Sequence, residues 1–167
     1  MQCLRLVECR RDACTVKILA ILQNMWFHNA EGWRERFESL DSVKRRRLIA
    51  KCLFATSNRT GRRIKAAFGD LIDQIEWEES SKEIGDHSAF APKCDTLHIT
   101  NLIVELQPDV VICFGSIAAV GVAAVQQQFN HFHLILVPHP MARVAGVKAD
   151  LEHAAITIRS MLETVSG

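Results

Sequence analysis

The first apolar run of the chain, residues 16–22, is continuous and contains the β-branched residues Val16, Ile18 and Ile21. A run of this length and type is typical of a strand that is covered on both faces, as in a parallel sheet. Residues 109–115 and 134–137 repeat the pattern, and residues 75–80 predict a weaker, partly acidic strand. The chain is therefore expected to contain four strands.

Stretches between these strands carry helical periodicity. Asp41 or Ser42 is suited to cap a helix over residues 43–54, and Asp95 to cap one that runs to residue 106. Further helices are predicted over residues 33–39, 62–68, 116–127 and 149–164. The expected inner face of the 43–54 helix consists of Val43, Leu48, Ile49, Cys52 and Leu53.

Strands that alternate with helices predict an α/β fold, a three-layer α/β/α sandwich around a four-stranded parallel sheet. We expect residues 1–15 to be an N-terminal extension and residues 16–167 to form a single domain.

Composition narrows the class of protein. The chain has 167 residues, of which 49% are hydrophobic, and no apolar run approaches the roughly 20 residues of a membrane span. The six cysteines include no C-x-x-C pair, which favours free thiols in a reducing compartment over a metal site or an iron–sulfur cluster. With no signal-type leader, the sequence predicts a cytoplasmic monomer without a membrane partner, metal or other cofactor.

Polar and aromatic residues follow the predicted strands, in segments 23–27, 78–81, 115–116 and 139–143. In an open parallel sheet these carboxyl ends meet at one edge, where ligands bind. His139 stands between Pro138 and Pro140, whose fixed φ angles stiffen the loop and make this histidine the best catalytic candidate. The alternatives are that His139 is structural and that Trp26 packs in the core.

Basic residues are concentrated in one part of the chain. Residues 42–69 contain nine Lys and Arg residues and no acidic residue, a pattern suited to phosphate contacts. For residues 44–47 alone, a solvated helix face is the preferred interpretation. Arg59 and Arg62 are the more interesting pair, since they begin a helix. Gly115 and Ser116, at a strand-to-helix turn, could also favour a phosphate, or serve only tight packing.

Four segments together resemble the uracil-DNA glycosylase superfamily over residues 16–143. They are QNMWF after the first strand, LFATSNRTGRR, PDVVICFGSIA and VPHPMAR. This resemblance implies the same three-layer fold and excision of a base that is flipped out of DNA, with no metal.

The resemblance also implies roles for individual residues. Asn24, next to Gln23, would position the attacking water, and His139 would stabilise the departing base. Phe54 would stack on the base, with Trp26 or Trp77 beside it. The implied phosphate contacts are Arg59, Arg62, Arg63, Ser116 and Arg143.

Several positions depart from the family pattern. Met25 replaces a proline, and Met141 replaces a serine. Where the family reads the base with an asparagine, the second strand offers only glutamates, and Glu78 is the predicted base-reading residue. Because an ionised carboxylate only accepts hydrogen bonds, it would suit a base edge that donates. The substrate is then not plain uracil, or activity is altered or lost.

The sequence thus predicts a monofunctional DNA glycosylase that excises a damaged or deaminated base by water attack. No lysine is evident as a Schiff-base nucleophile, so no lyase step is expected. The alternative is a non-catalytic nucleic-acid or nucleotide binder on the same fold, because fold does not determine function.

Overall fold

A four-stranded parallel sheet forms the centre of the protein in the computed structural model, which describes residues 16–23, 25, 31–85, 93–129 and 131–166. The strand order is β2-β1-β3-β4. The strands are β1 (Ile18–Leu22), β2 (Ile75–Glu79), β3 (Val110–Phe114) and β4 (His133–Val137). All three pairings are parallel, which confirms the sheet that the sequence predicts.

Helices connect the strands as the periodicity predicts. They are α1 (Glu31–Glu38), α2 (Ser42–Leu53), α3 (Arg59–Phe68), α4 (Thr96–Leu106), α5 (Ser116–Gln126) and α6 (Val147–Ser166). Asp41 caps α2 by accepting from the Lys44 N–H, and Asp95 caps α4 by accepting from the His98 N–H. A 3-10 turn, Gly69–Gln74, joins α3 to β2 and is not predicted by the sequence.

Side chains that alternate along the strands feed two separate cores, one on each face of the sheet. Leu19 and Ile21 of β1 pack with α4 and α5. Ile18 and Ala20 of the same strand, with Trp77 of β2, pack with α2, α3 and α6. Helices therefore cover both faces, which agrees with the three-layer α/β/α sandwich.

The inner face of α2 differs from the prediction. Ile49 and Leu53 are buried as expected, but Val43 is 46% exposed. In place of Val43, Arg45 and Arg46 are buried, at 8% and 5% exposure. The solvated-face interpretation of residues 44–47 is therefore wrong for these two arginines. The cause is charge: Arg45 pairs with Glu78 of β2, a buried carboxylate that needs a cationic partner. Arg46 pairs with Glu76 of β2 and Glu105 of α4, whose carboxylates are exposed.

Cysteines within the described ranges are free thiols, namely Cys52, Cys94 and Cys113. Burial raises the pKa of Cys113, in the middle of the sheet, to about 12. Among the helices that the structure describes, none combines the length and apolar character needed to cross a bilayer. The predicted extension, residues 1–15, lies outside the described part.

Candidate ligand site at the carboxyl edge of the sheet

A cavity of about 390 Å³ opens at the carboxyl edge of the sheet. Its walls come from the ends of β1, β2 and β4 and from the junction between α2 and α3. The lining residues are Leu22, Gln23, Met25, Cys52, Leu53, Asn58, Thr60, Glu79, His139 and Met141. The predicted convergence of strand-end loops thus produces a cavity that contains His139 and Gln23.

Gly115 brings the loops after β1 and β4 close together. Its φ angle is +96°, a conformation that L side chains rarely adopt. A Cβ atom at this position would lie 2.6 Å from Gln23 Oε1 and 3.2 Å from His139 Cβ. The glycine is therefore needed both for its backbone conformation and for the approach of Gln23 and His139.

The segment after β2 holds the loop after β1 in place. The Ser80 hydroxyl donates to the Gln23 carbonyl, and the Gly85 N–H donates to the Met25 carbonyl at 3.0 Å. These two bonds hold the carbonyls of Gln23 and Met25, the residues of this loop that the structure describes. Asn24 itself and Trp26, two of the predicted site residues, lie outside the described residues.

His139 is oriented by its own loop. Its Nδ1 accepts a hydrogen bond from the Met141 N–H at 3.2 Å, so the neutral ring carries its proton on Nε2. Burial lowers the pKa of His139, which keeps the imidazole neutral at pH 7. Arg63 of α3 donates to the Pro140 carbonyl at 2.6 Å and so braces the loop. The site therefore holds a neutral imidazole with one N–H donor.

Glu79, the last residue of β2, is the acidic group of the cavity. It is 5% exposed, and its Oε2 has no hydrogen-bond partner among the described residues. Burial, together with the negative charge of Glu78, raises the pKa of Glu79 to about 8. At neutral pH the side chain is thus a carboxylic acid that both donates and accepts.

Glu78, the predicted base-reading residue, lies on the opposite side of β2, away from this cavity. Its Oε1 accepts from Arg45 Nε at 3.2 Å and from the Glu79 N–H at 2.9 Å, and lies 3.9 Å from His98 Nε2. Burial opposes ionisation, but His98 and Arg45 together lower the pKa of Glu78. Glu78 therefore belongs to an ion-pair network. The structure brings Glu79 to the cavity instead.

The alternation of side chains along β2 is the sequence signal that places Glu79, and not Glu78, at the cavity. Trp77 faces the apolar core on the α2 and α3 side, so the residue two positions later has the same orientation at the end of the strand. The predicted choice of Glu78 over Glu79 runs against this alternation.

The predicted stacking residues have structural partners. Phe54 and Trp77 meet edge to face with ring centroids 5.1 Å apart. Trp77 is 2% exposed, and its Nε1 donates to the Ile72 carbonyl at 3.0 Å. Neither residue lines the cavity, although Phe54 directly follows the lining residue Leu53.

Asn58 and Gly61 shape the junction between α2 and α3. Asn58 caps α3 by accepting from the Gly61 N–H at 3.1 Å and donates to the Cys52 carbonyl at 3.2 Å. A Cβ at Gly61 would lie 1.7 Å from the Leu53 carbonyl oxygen. The glycine therefore allows α3 to begin against the end of α2, which forms one wall of the cavity.

Arginines stand next to lining residues of the cavity in the sequence. Arg59 lies between the lining residues Asn58 and Thr60, and Arg143 follows Met141 by two positions. Both arginines are exposed, as are Arg62 on α3 and Ser116 at the start of α5. These predicted DNA contacts are thus accessible. Arg63 is also exposed, but its guanidinium is bonded to the His139 loop.

Comparison of the chain with protein-family models, with curated proteins and with solved structures finds no match. Within the ranges that the structure describes, no three His, Cys, Asp or Glu side chains are grouped as metal ligands would be. The polar groups that the described lining residues bring to the cavity are amide, hydroxyl, thiol, imidazole and carboxylic acid groups.

Proposed function

We propose that the protein is a DNA glycosylase-like enzyme that removes a damaged or deaminated base by attack of water at the N-glycosidic bond. The observation that carries this proposal is the convergence of a neutral His139 and a buried Glu79 on one cavity. The resemblance of the strand-end segments to the uracil-DNA glycosylase superfamily supports the same reaction.

A base must leave the duplex before it can enter such a cavity. Enzymes that act on bases in duplex DNA extrude the nucleotide into a pocket that contacts the edge of the base. The volume of about 390 Å³ falls in the usual range for small-molecule sites, roughly 300–1,000 Å³. Apolar walls from Leu22, Leu53 and Met25 suit the flat faces of a base.

In the proposed reaction, the bond between the sugar C1′ and the base nitrogen breaks, and the base keeps the bonding electrons. A water oxygen bonds to C1′, and the proton that it loses is taken up by the departing base anion, so that the base leaves as a neutral heterocycle. The Nε2–H of His139 would donate to the base as negative charge develops on it, a type of stabilisation that is often the largest catalytic term. By the resemblance, Asn24 would orient the water.

Phosphate contacts would fall to the exposed groups around the cavity. The first turn of α3, which contains Arg59 and Arg62, has no acidic residue, and neither does the segment 138–146, which contains His139 and Arg143. Ser116 is the first residue of α5. Cations of this kind position DNA and make its affinity fall with salt. Among the residues that the structure describes, those that line the cavity include no lysine, which favours direct hydrolysis without a lyase step. We further expect a cytoplasmic monomer.

A panel of single- and double-stranded oligonucleotides tests the proposal. Each carries one uracil, hypoxanthine, xanthine or mismatched base, and alkali cleaves the strand wherever a base has been removed. We expect cleavage at one class of base by the wild-type protein. His139→Ala should lower kcat by about 10²–10³, the effect of removing one donor to a developing anion.

His133→Ala is the matched control, because His133 is exposed at the start of β4, the strand that precedes the His139 loop. It should keep wild-type turnover. If folded protein releases no base from any substrate, the enzyme proposal is wrong. DNA binding that persists without turnover would then favour the non-catalytic binder.

A further inference from the structure

We propose that Glu79 contacts the bound base as an uncharged carboxylic acid, so that the cavity accepts a heterocycle edge on which a hydrogen-bond donor and an acceptor stand side by side. This inference deepens the proposed function and rests on it, because it names the group that reads the base and the class of edge that is read.

The first support is geometric. Glu79 ends β2 at the cavity, is 5% exposed and leaves Oε2 without a hydrogen-bond partner among the described residues. Buried polar atoms in native proteins nearly always have a partner, and an unpaired one costs about 1–3 kcal/mol. A ligand that bonds to this oxygen removes that cost, so the position is suited to recognition.

The second support is the set of groups around Glu79. Its own strand contributes Glu78, α2 contributes Arg45 and Cys52, and the loop after β4 contributes His139. Arg45 favours ionisation but is already bonded to Glu78. The end of β1 and the start of α3 contribute the uncharged Gln23, Asn58 and Thr60. The surroundings of Glu79 within the described part therefore favour the protonated form at neutral pH.

Protonation changes which ring edges are complementary. A carboxylic acid presents one acceptor and one donor, and pairs with a ring N–H beside a carbonyl or with a ring nitrogen beside an amino group. An ionised carboxylate presents acceptors only, and suits an edge of two donors. An ionised Glu78, as predicted from the sequence, would select a base edge that only donates. A protonated Glu79 instead selects a mixed edge, which has one donor beside one acceptor.

Binding of free bases tests this inference without turnover. The probes are uracil, hypoxanthine and adenine, each with a mixed edge, titrated into wild-type protein between pH 6 and pH 9.5 and followed by NMR. We expect at least one probe to bind below pH 8 and to lose affinity towards tenfold per pH unit above it. His139 and Cys52 should not produce this change, since the pKa of His139 is lowered below 6.5 and that of Cys52 is raised above 9.

Glu79→Gln keeps one donor and one acceptor but cannot ionise, so above pH 8 it should lose affinity for the same probe only as far as the ring N–H of the probe itself ionises, and less than the wild type does. Glu83→Gln, at an exposed position four residues later, should keep the wild-type pH profile. A flat wild-type profile, loss of binding in Glu79→Gln at every pH, or no binding of any probe would each overturn the inference. Base release from DNA is measured separately. Cleavage without pH-dependent base binding would overturn only the role of Glu79 and leave the proposed function intact. Binding that depends on pH as expected, without cleavage of any DNA, would overturn only the proposed enzymatic activity.

Discussion

Glu78 and Glu79 are neighbours on β2, yet they lie in opposite environments. Both are deeply buried, at 1% and 5% exposure. On the Glu78 side, Arg45 and His98 surround the carboxylate, and its pKa is lowered. On the Glu79 side the neighbours are the polar, uncharged groups of a cavity, and the pKa is raised to about 8.

Depth of burial alone therefore does not decide the role of a buried acid. Arg45 of α2 bonds to Glu78, and His98 of α4 lies beside it, so Glu78 connects β2 to both helices. Each glutamate leaves its Oε2 without a hydrogen-bond partner among the described residues, so the two differ in their cationic contacts. No cation is bonded to Glu79 within the described part, and its raised pKa at a cavity marks it as a candidate functional residue. The two faces of one strand divide into a structural side and a candidate recognition side.

Arg45→Met should produce the largest loss of stability. The substitution leaves the Glu78 carboxylate buried without its main cation, and removes bonds from Arg45 to the Ser81 and Lys82 carbonyls. Breaking a buried pair from one side costs about 3–5 kcal/mol. Urea unfolding at pH 7 measures the change. Arg47→Ala, an exposed position on the same helix, should change stability by less than about 0.5 kcal/mol. Equal losses of stability in the two variants would show that the contacts of Arg45 with Glu78 do not stabilise the fold.

The second prediction concerns pH. The pKa of Glu79 is raised from an ordinary 4.5 to about 8, so the folded protein keeps a proton that the unfolded chain releases. Stability from this group is complete below about pH 4.5 and is lost as pH rises towards 8, by on the order of 1 kcal/mol per pH unit. Glu79→Gln should abolish this slope, measured as the free energy of unfolding of both proteins at pH 5, 6, 7 and 8. A wild-type slope that matches the variant would mean that Glu79 is ionised, like Glu78.

Much of this fold could be predicted from the sequence. The buried strands β1 and β3 are continuous apolar runs, and Asp41 and Asp95 are clear helix caps, so local signals and final structure agree. The 3-10 turn before β2 has no comparable pattern. Arg45 and Arg46 were missed as inward-facing because their burial depends on acids about 30 and 60 positions later in the chain.

The candidate site was only partly predictable, for the same reason. His139 and Gln23 follow strands, and strand ends can be found locally. Whether Glu78 or Glu79 faces the cavity depends on which side of the sheet α2 and α3 cover, which is a tertiary property. The edge-to-face contact between Phe54 and Trp77 is likewise a tertiary property, and the role of Phe54 as a stacking residue stays a prediction.

Gly115→Ala sharpens the comparison with the smallest effect on stability. An alanine would have to adopt the left-handed backbone of this position, φ +96°. Its methyl group would also meet Gln23 Oε1 and His139 Cβ, so the disturbance falls on the cavity side. We expect a loss of about 1–3 kcal/mol, typical of local backbone strain, with loss of base binding. Gly32→Ala is the matched control, since nothing lies within 4 Å of a Cβ there and α1 gains a better helix former. It should preserve binding. If Gly115→Ala binds the free base as the wild type does, the contact between the loops after β1 and β4 is not part of the recognition side.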